Sequence, residues 1–386
     1  MRRYLEIFLV SLKLGLTSFG GPIAHIGYYH NEYVIKRKWL REETFAELLA
    51  LCQFLPGPAS SQMTISMGVM HSGLAGGFLA WLGFTAPSAI LMAGFAFLLS
   101  GYGFGDAAWI QGLKIVAVGI VAQAVLTMWQ KLVTDNKLAT ISLSAMVFLI
   151  IKQTAFSQII IILLAGIAGL LIYRKSVFTD GPDTDKPVSY RTGIISLVIF
   201  AGLLLALPLL RQITGSHYIA LADSFYRPGS LVFGGGHVVL PLLEFEVVPA
   251  GWVTKEIFLA GYGAAQAVPG PIFTFASYLG AMISGLPGAV IAVTAIFLPG
   301  FLLVIGVFPF WSRLRKNSKI KGALAGINAA VVGILLAALY NPVMTSAIHS
   351  PSDLGIAVIL FGMLAFWKLP PWISVITGVA LRCLIG

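Results

Sequence analysis

Charged side chains are scarce in this sequence, only 10% of its 386 residues, where a typical soluble domain carries about 25%. That scarcity excludes an ordinary water-facing surface. Cysteine is scarce too: Cys52 and Cys383 are far apart and match no metal-ligand spacing, so both read as ordinary apolar cysteines and no metal is expected. Acidic residues number 15 against 25 basic ones, a net charge of +10. Much of the basic charge lies in short connecting loops, which marks cytoplasmic orientation and not nucleic-acid binding. No Walker-type phosphate loop is present, so ATP hydrolysis by this chain is not expected. Flavin, haem and metal motifs are likewise missing, so no cofactor is expected and the chain does not read as an enzyme. The start, "MRRYLEIFLVSLKLGLTSFGG", lacks a small-residue cleavage site, and its Phe-Gly-Gly recurs at Phe233, so it reads as mature structure.

Apolar sequence is what the chain has in abundance: 58% hydrophobic residues and a mean hydropathy of +0.90. Runs such as residues 74–100 are long enough to cross about 30 Å of hydrocarbon as helix. The expected fold class is an all-α polytopic membrane protein. Repetition is the next signal. "KLGLTSFGG" from Lys13 meets "RPGSLVFGG" from Arg227, and at the same offset Glu32 meets Glu246. Trp39, Glu43, Phe45 and Gln53 then meet Trp252, Glu256, Phe258 and Gln266. "QFLPGPASSQ" from Gln53 is echoed by "QAVPGPIFTF" from Gln266, and Gly73, Gly76 and Pro87 by Gly285, Gly288 and Pro299. The repeat is about 213 residues long. It divides the chain into a first repeat at 1–173, a cytoplasmic linker with an extra helix at 174–213, and a second repeat at 214–386.

Equivalent loops carry opposite charge. "KRKWLR" (36–41) faces "EFEVVPAGWVTKE" (244–256), and "RLRKNSKIK" (313–321) faces "GYGFGDAAWIQG" (101–112). By the positive-inside rule the two repeats are expected to have inverted topology, and the apolar segment 192–210 supplies the odd crossing. Arg2, Arg3 and the Lys36 loop then share one side. Residues 5–34 should enter and return around Phe19-Gly20-Gly21-Pro22, and residues 43–72 should turn back at Pro56-Gly57-Pro58. Full spans are expected near 74–100, 107–130, 138–152 and 156–173.

Proline removes a backbone donor and glycine loosens the chain, so each Pro-Gly-Pro should break its helix. In hydrocarbon a break is tolerable only where protein or a water-filled cavity satisfies the freed groups. A break at mid-membrane presents the N-terminus of a half-helix, with free N–H groups and partial positive charge, to an anion. Inverted-repeat transporters bind substrate between such discontinuous helices near the midplane. The candidate substrate-binding residues are therefore Gly20, Gly21, Pro56, Gly57 and Pro58 in one repeat, and Gly234, Gly235, Gly236, Pro269, Gly270 and Pro271 in the other. Gln53, Ser60, Ser61, Gln62 and Thr64, with Gln266, Thr274 and Ser277, add neutral donors suited to a tetrahedral oxyanion that must also leave. The plainer alternative is that the prolines cap or kink ordinary helices and the hydroxyls satisfy local backbone.

Lys13 and Arg227 sit in matching apolar contexts, and a cation at membrane depth costs about 2.5–3.5 kcal/mol on insertion scales. They are candidate substrate ligands, the alternative being snorkelling toward headgroups. Glu32, Glu246, Glu47 and Lys114 are candidate proton-coupling groups. Glu32 and Glu246 have the alternative of pairing with loop cations, while Glu47 and Lys114 have the option of pairing with each other. His25 and His237 lie near the breaks at unmatched positions and read first as satisfied core histidines.

The Phe-Gly-Gly element, the Trp39 and Glu43 region, residues 53–58, "VFGGGHVVLPLLEFEVV" from Val232 and "AAQAVPGPIFTFASYLG" from Ala264 together resemble the chromate ion transporter family in its long, two-domain form. The resemblance covers essentially the whole chain. It implies chromate efflux across a bacterial inner membrane as a multi-pass protein, with sulfate as a structural analogue, and chromate resistance. The leading expectation is secondary active export driven by the proton motive force. Alternatives are a transporter of sulfate or another oxyanion in uptake or exchange, and a passive anion channel. Beyond chromate, and sulfate as a second candidate, the expected partner is the lipid bilayer. A homodimer is left open.

Overall fold

The computed structural model describes residues 2–19, 21–102, 108–152, 155–173, 188–233, 236–314 and 317–385, and every regular element among them is helical. Five of the described segments are long and apolar enough to cross a membrane: Ala59–Ser100, Ala108–Leu132, Tyr190–Thr214, Ile272–Phe310 and Lys319–Ala347. The protein is thus an all-α, multi-pass membrane protein.

The chain opens with α1 (Arg2–Thr17) and α2 (Gly21–Tyr29), the latter continuing as a π-helical turn, His30–Lys36. Next come α3 (Glu42–Phe54), α4 (Ala59–Tyr102) and α5 (Ala108–Leu132). α6 (Asn136–Ile151) starts where the Asp135 carboxylate accepts from the amides of Lys137 and Leu138. α7 (Ala155–Ile172) follows, then α8 (Tyr190–Thr214), capped by the Ser189 hydroxyl and ended by Gly215 in the left-handed region. The second repeat contributes α9 (His217–Leu231), α10 (Val239–Val247), α11 (Lys255–Ala265) and α12 (Phe275–Val307). It closes with α13 (Ser318–Ala338), α14 (Pro351–Ala365), which begins in a Ser350–Asp353 capping box, and α15 (Pro371–Ile385).

Two compact units result, and each draws on both sequence repeats. One comprises residues 1–94, 177–236 and 269–317, the other 95–176, 237–268 and 318–386. Their limits differ from the repeat boundaries near 173 and 213.

In the first unit, α4 and α12 are each folded in two. Ser72-Gly73 and Ser284-Gly285 leave helical geometry with nearly the same angles, φ −150° and 69° in one and −147° and 61° in the other. Beyond each turn the chain doubles back, so that a Cβ at Gly68 would lie 2.3 Å from the Gly76 oxygen, and one at Gly280 2.2 Å from the Gly288 oxygen. The first arms, residues 59–71 and 275–283, are too short to cross 30 Å of hydrocarbon; the second arms are long enough. Because backbone faces backbone in these hairpins, Gly280→Leu is expected to cost about 3 kcal/mol or more. A thermal melting curve of the detergent-purified variant checks this, and an unchanged midpoint would contradict the packing.

Around the hairpins lies a core including Tyr29, Tyr33, Leu51, Phe84, Val304 and Trp311. α8 runs antiparallel to the second arm of α12: Gly193 packs on Gly306 and Pro309, while His217 just past its far end reaches the Ser284 hydroxyl at 2.6 Å. Its other faces expose Val198, Leu205 and Ile213, as a helix bordering lipid should.

The second unit is built on small-residue crossings. Gly169 packs on Gly322 and Gly326, Gly263 on the Leu113 backbone, Gly112 on Val379 and Gly119 on Leu360. Close backbone approach of this kind is how helices associate where burial from water supplies no force.

Candidate functional site

Within each Pro-Gly-Pro only the glycine carries an N–H. The Gly57 amide donates to the Val232 carbonyl at 2.7 Å, and the Gly270 amide to the Ser18 carbonyl at 2.9 Å. Each acceptor immediately precedes the Phe-Gly-Gly of the other repeat. This exchange is reciprocal: a position in repeat one bonds the counterpart of a second position, and that second position bonds the counterpart of the first. Such reciprocity is the mark of a two-fold relation. A further pair obeys it. A Cβ on Gly57 would approach Gly300 at 3.5 Å and one on Gly270 would approach Ser88 at 2.9 Å, and Ser88 and Gly300 are themselves matched. With φ of +117° and +99°, both glycines occupy backbone that other residues rarely adopt. The triplet amides are therefore held by protein carbonyls, and the donors the first break can offer are the opening amides of α4, at Ala59, Ser60 and Ser61, which have no carbonyl one helical turn before them in α4.

The break after α3 returns the chain alongside itself, bringing the Cys52 sulfur to 3.6 Å from the Ser66 hydroxyl. Gln62 secures the turn: its side-chain amide donates to the Pro56 carbonyl at 2.7 Å and its backbone amide to Pro58 at 2.9 Å. Ser60 lends its carbonyl to the Thr64 hydroxyl, whereas the Ser61 hydroxyl is buried with no partner. Gln53, on the last turn of α3, is exposed. At the second triplet the Pro271 carbonyl accepts from the Thr274 amide and hydroxyl, and the Ser277 hydroxyl donates to the Ala89 carbonyl at 2.9 Å. Gly21 opens α2 with φ +74°, and Gly236 begins a short 3-10 turn. Gly20, Gly234 and Gly235 lie outside the described residues.

Lys13 and Arg227 both carry carboxylate partners. Lys13 Nζ is 3.1 Å from Glu32, which Arg37 also binds at 2.9 Å. Arg227 makes two 2.9 Å bonds to Asp223, which Arg211 approaches at 3.3 Å. One buried carboxylate thus bridges two cations near each Phe-Gly-Gly, taken from different positions in the two repeats. Glu32 accordingly takes the loop-cation option. Glu47 accepts from the Trp311 indole at 2.9 Å. Asp223 was not singled out by sequence, although its i,i+4 spacing to Arg227 on a helix was a readable signal.

The remaining predicted residues belong to the second unit. Gln266 is half-buried, its side-chain nitrogen has no hydrogen-bond partner, and it faces the Tyr262 hydroxyl, which also bonds His237 Nδ1 at 2.7 Å. Glu246 is half-buried on α10, and Lys114 is buried on α5 with its charge reaching Glu256.

Residues 5–170 and 219–383 each match the family described as chromate transporter. A probable chromate transport protein of Synechococcus elongatus is 31% identical over 96% of this chain and 92% of its own length. The chromate transport protein of Cupriavidus metallidurans is 28% identical over 99% and 92%, and that of Pseudomonas aeruginosa 26% over 95% and 88%.

Proposed function

The chain belongs to the chromate transporter family, and from that premise we propose that it exports chromate, a tetrahedral dianion like sulfate, across the bacterial inner membrane. In this reading residues 1–173 and 214–386 are inverted repeats joined by residues 174–213, and the exporter confers chromate resistance. The observation that supports it most is the reciprocal tie of Gly57 and Gly270 to the opposite Phe-Gly-Gly elements. It gathers the helix breaks of both repeats about one pseudo-two-fold axis, the arrangement in which paired half-helix ends can share a guest. Lys13 and Arg227 each share one carboxylate with a second cation, Glu32 with Arg37 and Asp223 with Arg211, so they shape the field around the breaks while their own charges are tied to the protein. Backbone amides and hydroxyls such as Ser60 and Ser61 hold the guest, and weak neutral donors let it leave.

The electrical component of the proton motive force supplies the drive. A dianion leaving a negative interior gains about 2.3 kcal/mol per charge for each 100 mV, so the electrical component alone favours export. Purified protein in liposomes loaded with radiolabelled chromate, under an inside-negative potassium–valinomycin potential, is expected to release chromate faster than protein-free liposomes loaded in the same way. Counterflow distinguishes the transporter from a passive channel: with the potential held at zero, proteoliposomes loaded with unlabelled chromate are expected to accumulate labelled chromate transiently above equilibrium, which a channel cannot do. No chromate flux above the protein-free control overturns the reading, and flux of sulfate alone reassigns the cargo.

A further inference from the structure

Along α2 and its π-helical continuation, His25, Tyr29 and Tyr33 recur at every fourth position, and none is more than 1% exposed. Their rings follow one another at 6.2 and 5.8 Å, and Phe84 of α4 closes against His25 at 5.5 Å and Tyr29 at 5.6 Å. The Tyr29 hydroxyl lies beside Ser60 and Thr64 at the start of α4. A buried polar atom without a partner costs about 1–3 kcal/mol, yet Ser18 Oγ, His25 Nδ1 and Tyr29 Oη have none. At the matching positions the second repeat carries Val232, Val239 and Leu243. The polar cluster belongs to the first repeat alone, beside the break where Ser60 and Ser61 lie.

The His25 ring is held by one bond, from Nε2 to the Ser18 carbonyl at 3.1 Å. That same carbonyl accepts the Gly270 amide. Since a carbonyl can only accept, Nε2 carries the hydrogen, and in the neutral ring Nδ1 is a bare lone pair. Facing the ring are Tyr29 from its own helix, Phe84 from α4, and the Ser18 carbonyl with the Gly270 amide. Of these only Tyr29 is titratable; Tyr29 in turn faces Cys52 of α3 and Tyr33, and the charges of Glu32 and Arg37 begin beside Tyr33. Among the described residues no carboxylate stands against the imidazole to balance a positive charge.

We propose that His25 is the proton-binding residue of the transport cycle: Nδ1 takes a proton from water when an oxyanion occupies the adjacent break, and returns it when the anion leaves. This rests on the transport reading above. The N–H bond formed at Nδ1 gives the cluster a donor and a single positive charge, and the guest supplies the negative charge that the protein withholds. Linkage fixes the sign. The anion raises the proton affinity of His25, and the proton raises the anion affinity, so chromate binding weakens as pH rises, by up to about tenfold per unit.

The experiment titrates chromate into the full-length protein in detergent, in weak buffer with a pH-indicating dye, between about pH 7.5 and 9, where free chromate is already the dianion and does not itself exchange protons. Wild type is expected to take up about one proton per chromate bound where the empty site is deprotonated. His25→Gln retains a donor for Ser18 but cannot be protonated; it should take up none and bind with a pH-independent affinity at an unchanged melting temperature. His237→Gln should behave as wild type. If wild type binds chromate with no proton uptake and a flat pH profile, or His25→Gln keeps the full uptake, the assignment is overturned and the transport reading stands. If wild type binds no chromate, the transport reading falls and this role falls with it. Should His25→Gln fail to fold, infrared difference spectra of the wild type decide: an imidazolium signature that appears with chromate and is kept in His237→Gln supports the assignment, and its absence overturns it.

Discussion

Replacing Pro56-Gly57-Pro58 with three alanines is expected to abolish chromate transport while leaving a helical, membrane-inserted protein. In a helix interior proline is about 3 kcal/mol and glycine about 1 kcal/mol worse than alanine, so the replacement favours a continuous helix through the break by roughly 7 kcal/mol. Three changes would follow together. The Gly57 amide would turn to the carbonyl four residues back and leave Val232. α3 would no longer return beside α4, separating Cys52 from Ser66. The opening amides of α4 would be used up inside the new helix, removing the donors offered at the break. The single substitution Gly57→Ala is a milder version, since φ is +117° and the added Cβ would stand 3.0 Å from Gln62 Nε2. Strain of about 1–3 kcal/mol predicts a loss of transport between several-fold and a hundredfold, and Gly270→Ala, facing Ser88 at 2.9 Å, should match it. Initial efflux rates from proteoliposomes measure both. A triple-alanine protein that exports at the wild-type rate would show that the prolines merely kink.

The positions of the breaks were readable because proline and glycine act locally: Pro56-Gly57-Pro58 interrupts a helix whatever surrounds it. The start of the span at residue 74 was readable from the apolar run that begins there, and the structure places the Ser72-Gly73 turn just before it. What each break is tied to was not readable. The acceptors for Gly57 and Gly270 are backbone carbonyls of Val232 and Ser18, and a carbonyl leaves no trace in residue identity. The partners of the membrane cations divide along the same line. Asp223 lies one helical turn from Arg227 and could have been found by spacing; Glu32 is 19 residues from Lys13 and meets it only after the chain has reversed at the Phe-Gly-Gly. Glu47 and Trp311, 264 residues apart, share no counterpart in the repeat that would have linked them. The interleaving of the two compact units is hidden for a related reason, since internal homology reports common ancestry of segments and not which segments pack together.

A cysteine at Ser72 is expected to react with a membrane-impermeant maleimide only from the cytoplasm, and one at Ser284 only from outside, in a background with the exposed Cys383 replaced. The two turns have nearly superimposable backbone angles, so nothing local distinguishes them; only the orientation of the repeats does. His71, next to Ser72, stacks on Trp39 at 4.2 Å, and Trp39 lies under the Arg37 guanidinium at 5.2 Å. Ser72 is thereby fixed beside the basic loop 36–41, which the positive-inside rule is expected to keep in the cytoplasm. Ser284 is fixed at the other end of α8 through His217. α8 begins after a linker containing Arg174, Lys175 and Lys186, and its 25 residues extend roughly 37 Å, enough to cross the bilayer. Its start and Ser284 must then lie on opposite sides. Reciprocal bonding at Gly57 and Gly270 requires a two-fold axis but does not set its direction; opposite labelling of the two turns would lay that axis in the membrane plane. Labelling of both from one side would instead stand the axis along the membrane normal, and the breaks would then belong to parallel repeats, a result that removes the inverted architecture from the proposal.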